Sequence, residues 1–191
     1  MNLPKARDPV TVLLEVDSGS KKSGFHLLPV EDLFREACQR IETEAFDSIV
    51  LSGEGEPALR FPALVRLATK LKNKYDTLPL RVTTNGLITQ QDAALTLKSC
   101  GISMVSVALM THDPDQYDKI MNPSLPIDVV TRTRAHEVVC HFIQDSIRVG
   151  LVVEATGVAR EDVDQSATEK FAEKLRVEET SFRWRPYFPS K

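Results

Sequence analysis

Glu56 is the residue of this chain best placed by its neighbours to do chemistry. It sits in the segment Ser52-Gly53-Glu54-Gly55-Glu56-Pro57, directly behind the β-branched run 47–51. Gly53 and Gly55 allow the backbone to approach a ligand closely, and Pro57 ends the strand and fixes the next φ. Between them, the Glu56 carboxylate can accept hydrogen bonds from an ammonium group. The same residues also suit a plain strand-to-helix turn, with Glu56 favoured by the helix dipole. A second group, Thr83-Thr84-Asn85-Gly86, follows another β-rich run. Its hydroxyls and amide could bind a ribose or a carboxylate, and Asn-Gly is equally a turn pair. Glu154 follows a third apolar run, where an unpaired charge is costly to bury; a solvated strand end is the alternative.

The remaining reactive residue types form no cluster. His112 lies beside Asp113 and could serve as acid or base, or simply stand in a loop. His136 and His141 read as surface positions of a helix, and His26 has no carboxylate partner in its neighbourhood. Cys38, Cys100 and Cys140 are far apart, make no CxxC pair and no zinc spacing, and read as small apolar core residues. No GxxxxGK[ST] loop occurs, and no GxGxxG follows the first strand. The tail Arg183-Trp184-Arg185-Pro186-Tyr187 could stack on a nucleobase, but an arginine packed on tryptophan is the more ordinary use, and nucleic acid is not expected as a partner.

Positioning such residues requires a regular scaffold, and the chain has one. Strand signals at 10–16, 47–52, 80–84, 102–109, 146–153 and 180–184 alternate with helical periodicity at 30–44, 61–74, 89–99, 113–121, 127–142 and 159–175. Thr89 is the expected cap of the third helix. Alternation of this kind means parallel strands joined by right-handed crossover helices. Ligand groups then collect at the C-terminal ends of the strands, in a barrel or in a doubly wound sheet. The fold class expected is α/β, a six-stranded parallel (βα)6 partial TIM barrel in a single domain, 1–191.

Composition agrees with a globular chain: 191 residues, 42% hydrophobic, 27% charged, net charge −3. This balance gives no general attraction to nucleic acid or to a membrane surface. No apolar run approaches the ~20 residues of a membrane span, and no signal peptide is read at the start. A cytoplasmic location is the expectation.

The order of four segments resembles the radical SAM superfamily, and is similar to its small members associated with TatD-type nucleases. These are Gly53-Glu54-Gly55-Glu56-Pro57 with Ala-Leu-Arg, the run Arg81 to Leu87, the run Val105 to Tyr117, and Val153 to Val158. The resemblance covers about 46–188. It implies S-adenosylmethionine bound across the strand ends. Gly55 and Glu56 match the segment that holds the methionine amino group, flanked by Gly53 and Pro57. Asn85, beside Thr84, matches a polar position after the third strand. Ser106 and Ala108 match ligand-facing positions of the fourth strand, and Val153 and Glu154 the fifth-strand segment near the adenine.

The resemblance also implies a four-iron cluster on a CxxxCxxC motif after the first strand. The corresponding loop, 17–25, carries no cysteine. The expectation is a cluster-less relative with a residual S-adenosylmethionine-type small-molecule site. Two alternatives stand beside it: an active iron–sulfur enzyme whose chain omits the cluster segment, and a non-catalytic interaction or scaffold protein.

Overall fold

The computed structural model of the chain describes residues 10–13, 28–53, 55–121, 134–178 and 181–188. Its elements are β1 (Val10–Leu13), α1 (Val30–Thr43), β2 (Ile49–Ser52), a 3-10 turn (Pro57–Arg60), α2 (Phe61–Lys74), β3 (Leu80–Thr84) and α3 (Ala93–Ser99). They continue as β4 (Ile102–Met110), α4 (Pro114–Met121), α5 (Ala135–Arg148), β5 (Val152–Ala159), α6 (Gln165–Lys174) and β6 (Phe182–Pro186). The strands follow one another in chain order, β1-β2-β3-β4-β5-β6, with no reversal. β1 pairs with β2, β2 with β3, and β5 with β6, all parallel. The fold is α/β with a parallel sheet. The predicted cluster loop, 17–25, lies outside the described residues.

The chain divides into two compact units, Met1–Thr84 with Thr96–Met104, and Asn85–Leu95 with Val105–Lys191. In the first, Ile49, Leu51, Leu80 and Val82 are almost completely buried, as are Leu64, Leu67, Ala68 and Leu71 of α2. The three- and four-residue spacing of the α2 set makes one apolar stripe, and each fully buried leucine contributes roughly 1.5–3 kcal/mol. Leu33, Ala37 and Cys38 bury the matching stripe of α1. In register, Leu13 lies opposite Ser52, and Ile49 opposite Leu80.

In the second unit, β5 and β6 are aligned from Ala155 opposite Phe182 to Ala159 opposite Pro186. Side chains of a strand alternate between faces, which gives each strand two different sides. One side meets helices. Trp184 donates its indole N–H to Glu169 of α6 at 2.7 Å, and a Cβ on Gly157 would come within 2.3 Å of the Trp184 ring. A side chain on Gly86 would likewise run into Val107 of β4 and Val139 of α5. Val105, Val107, Leu109 and Ala155 are fully buried.

Several expected boundaries move. The third helix begins at Ala93 rather than 89, behind Asp92 at φ 53, so Thr89 does not cap it. The helix expected at 127–142 is α5, displaced to Ala135–Arg148; 122–133 lie outside the described residues. The strand expected at 146–153 is instead the end of α5 followed by β5. Phe142, Ile143 and Ser146 are buried on one helical face, so the 3.6-residue period continues past the expected stop. Gly150, at φ 79, then ends the helix. Its N–H donates to the Ile147 carbonyl at 3.0 Å, and the Leu151 N–H to Ser146 at 2.9 Å, the paired bonds of a glycine-terminated helix. The last helix starts at Gln165, capped by Asp164, and not at 159. The last strand is Phe182–Pro186.

Candidate functional site

In the first unit, Glu56 is the N-cap of the 3-10 turn that follows β2. Its carboxylate accepts the Ala58 N–H at 2.9 Å and the Thr84 hydroxyl at 2.6 Å. Pro57 opens the turn and is buried; Gly53 is half-buried and Gly55 exposed. Glu56 and Thr84, expected as ligand groups, are therefore brought together by a bond between the ends of β2 and β3. The capping use of this motif and its possible binding use involve the same carboxylate.

In the second unit, Asn85 accepts the Leu87 N–H on its side-chain oxygen at 2.8 Å, and Gly86 takes φ 77. This is the turn use of Asn-Gly. Ser106, Glu154 and Arg183 form a row across three strands. The Ser106 hydroxyl donates to Glu154 Oε1 at 2.7 Å, and Arg183 Nη2 donates to the same oxygen at 3.0 Å. Glu154 is thus not at a strand end, as expected, but third in β5, where a hydroxyl and a guanidinium share its charge. The two-residue period sets Glu154, Thr156 and Val158 on one side of β5 and Val153, Ala155 and Gly157 on the other. Gly157 packs on Trp184, so Val153, expected near a ligand, is a core residue of the helix-covered side. Ala108 shares its side of β4 with Ser106 and is half-buried.

Arg183 escaped the sequence reading because that reading paired it with its neighbour Trp184. Adjacent strand residues point to opposite sides, and here they do: Trp184 reaches α6 and Arg183 reaches Glu154. The ring in this tail that does receive an arginine is Tyr187, with the Arg160 guanidinium 5.1 Å from its centre. Arg160 also makes two bonds to Asp162, at 2.8 and 2.9 Å, and holds that carboxyl below the usual carboxylate range. These residues, with Ala159 and Glu161, line a cleft of about 590 Å³ at the C-terminal ends of β5 and β6.

The end of β4 carries a second group, built around Met110 and Thr111. Met110 has φ 66, and the Thr111 N–H donates back to the Leu109 carbonyl at 2.8 Å. This three-residue turn has the strained hand. His136, expected at the surface, is 3% exposed. Its Nε2 lies 3.0 Å from the Thr111 carbonyl oxygen. A carbonyl only accepts, so Nε2 carries the proton and Nδ1 accepts from the Cys140 thiol at 3.8 Å. Rings of Tyr117 and Phe171 flank the imidazole at 5.4 and 5.5 Å. Burial holds the His136 pKa below its ordinary value. His112 contacts Thr168 through both its backbone N–H and its ring, and His141 is exposed, as expected.

The cysteines test the iron–sulfur expectation. Cys38, Cys100 and Cys140 are free and buried, on α1, at the end of α3 and on α5. Burial raises the pKa of Cys100, and that of Cys140 to about 11, so these are thiols rather than thiolates. Among the described residues, no group of three or more His, Cys, Asp or Glu could hold a metal ion. The donor set does not fit a cluster that requires several converging thiolates. Among the described residues, no helix is long and apolar enough to cross a membrane.

No protein-family model matches this chain, and no curated protein matches it in sequence. Its fold is nevertheless that of solved structures. Methylornithine synthase PylB aligns over 96% of this chain and 51% of its own length, at 15% identity and a TM-score of 0.67. SuiB of Streptococcus suis bound to S-adenosylmethionine aligns over 94% of this chain and 38% of its own, at 14% identity and 0.67. The radical S-adenosylmethionine methyltransferase TsrM of Kitasatospora setae, bound to tryptophan and a SAM analogue, aligns over 83% and 30%, at 9% identity and 0.57. The chain spans about half or less of each of these structures, and its fold is similar to theirs.

Proposed function

We propose that this chain is a radical SAM-like protein without an iron–sulfur cluster, which retains an S-adenosylmethionine-type binding face on β4, β5 and β6. The observation that carries this is the Ser106–Glu154–Arg183 row on the strand side away from α6. A carboxylate bonded by a buried hydroxyl on one neighbouring strand and an exposed guanidinium on the other places charge on this sheet face, which suits a binding surface. Strand order without reversal supports a partial barrel, since right-handed crossovers in chain order put every helix on one side. The single domain, the kinship with the TatD-associated subgroup and a cytoplasmic location belong to the same reading, and rest on the sequence segments named above.

Ser106, Ala108 and Glu154 are the ligand-facing residues in this reading, while the Val153 side chain is buried on the other side of β5. Gly53, Gly55, Glu56, Pro57, Thr84 and Asn85 keep the roles implied by the resemblance only so far as Glu56 can serve both its turn and a ligand. The resemblance to the superfamily assigns reductive cleavage of the sulfonium to an iron–sulfur cluster. The cysteines of this chain do not suit one, so the function proposed is binding and no reaction is assigned.

Calorimetry of the purified chain with S-adenosylmethionine tests this, alongside Glu154→Gln and Glu56→Ala. The expected result is weak binding that falls in Glu154→Gln. A charge-assisted contact is worth about 1.5–3 kcal/mol, so the loss is roughly tenfold or more. No heat at millimolar ligand would overturn the reading and favour a scaffold role. Anaerobic reconstitution that yields a thiolate-ligated cluster would instead favour the enzyme.

A further inference from the structure

Three non-glycine residues among those described have positive φ: Asp92, Met110 and Arg176. Arg176 is exposed and follows the C-terminal end of α6, where such backbone is common; Asp92 is exposed and of a type whose short polar side chain tolerates it. Met110 is different. It is buried, ends a strand, and has a side chain with no local means of favouring that conformation. Strain of this kind persists only where the surroundings impose it, and it concentrates at binding sites. Here the surroundings are explicit. The Thr111 carbonyl is held by His136, the Thr111 hydroxyl donates to Gln116 at 2.6 Å, and the His112 N–H donates to Thr168 at 3.3 Å. Three helices, α5, α4 and α6, thus grip the two residues after Met110.

The grip delivers the Met110 thioether to 3.9 Å from Arg185 Nη2. Arg185 lies two residues along β6 from Arg183 and shares its side of the strand. Their situations differ. Arg183 is neutralised by Glu154. For Arg185, the acceptor found among the described residues is a sulfur, which is a weak one and carries no charge. An arginine steered by a strained neighbour toward the C-terminal strand ends, with no carboxylate supplied among the described residues, suits an incoming anion.

We propose that Arg185, positioned by Met110, receives the anionic group, a carboxylate or a phosphate, of the ligand bound on the β4–β6 face. This rests on the proposed binding face, but not on the ligand being an adenosyl compound.

The test compares the full chain with Arg185→Gln and Met110→Leu. Calorimetry uses S-adenosylmethionine and 5′-methylthioadenosine, which lacks the carboxylate; thermal shift uses sodium phosphate and sodium succinate at constant ionic strength. The expected result is about tenfold weaker S-adenosylmethionine binding in Arg185→Gln, with methylthioadenosine unchanged. Met110→Leu should lose part of that affinity without a lower Tm. If S-adenosylmethionine does not bind but phosphate or succinate raises the Tm of the natural chain and not of Arg185→Gln, the adenosyl reading falls and the anion site stands, its source named by the anion that acts. If the natural chain and Arg185→Gln respond alike to all four compounds, the inference is overturned, and Arg185 is a solvated edge-strand charge.

Discussion

Replacing Gly86 by alanine isolates the turn that follows β3. Two costs are readable from the structure. Gly86 has φ 77, and an L-residue in that region loses about 1–2 kcal/mol. An added Cβ would stand 2.7 Å from Val107 Cγ1 and 3.2 Å from Val139 Cγ1, both on fully buried side chains. Overpacking of this kind costs about 1–3 kcal/mol. The sum, about 2–5 kcal/mol, corresponds to a Tm lower by roughly 4–20 °C at 2–4 °C per kcal/mol for a chain of this size. The chain has one tryptophan, Trp184, in the same unit as Gly86, so its fluorescence reports the affected transition directly. Far-UV circular dichroism follows both units. Val107→Ala provides the control: in the double variant the steric part should vanish, leaving a coupling of about 1–3 kcal/mol. A Tm drop of under about 2 °C in Gly86→Ala would refute the turn argument, and additivity with Val107→Ala would refute the steric part.

Three further outcomes follow from His136, Glu56 and the buried cysteines. His136 is buried and neutral, with its pKa held below its ordinary value mainly by burial and in part by Arg134, against the Thr111 carbonyl bond and the charges of Asp118 and Asp113. The folded state therefore resists this proton, and stability should be complete above pH 6.5 and fall as acid protonates the unfolded imidazole; Tm against pH for His136→Gln should show a shallower acid slope. Glu56→Ala leaves the Ala58 N–H and the Thr84 hydroxyl without their acceptor, costing about 1–3 kcal/mol in urea unfolding followed by circular dichroism, while Glu56→Gln should cost less. Iodoacetamide at pH 8 should label none of the three cysteines rapidly until the protein is unfolded, because all are buried and the Cys140 thiol is pushed up to about 11; fast labelling of native protein would contradict that burial.

Local periodicity was enough to place most elements. The stripe Leu64, Leu67, Ala68 and Leu71 marks α2, and Leu80 to Thr84 reads as β3 from its β-branched composition alone. It failed where two periods overlap. The stretch from Ser146 to Val153 is apolar enough for a strand, yet its first three residues continue the face of α5 until Gly150 stops it. That error moved β5 by six residues and made Glu154 look like a strand-end charge.

The chain's residue types by themselves determine that thiolate ligation of a cluster has no CxxxCxxC to use, that strands and helices alternate, and that Glu56 caps or binds behind a glycine pair. These are local properties, set by spacing along the backbone. The partners of Glu154, the burial of His136 and the strained turn at Met110 are not. Ser106 and Glu154 are 48 residues apart, and Thr111 and His136 are 25 apart. Only parallel strand pairing and helix packing bring such residues to bonding distance. Whether a charged or imidazole side chain is neutralised, buried or exposed depends on those distant neighbours, which no local pattern specifies.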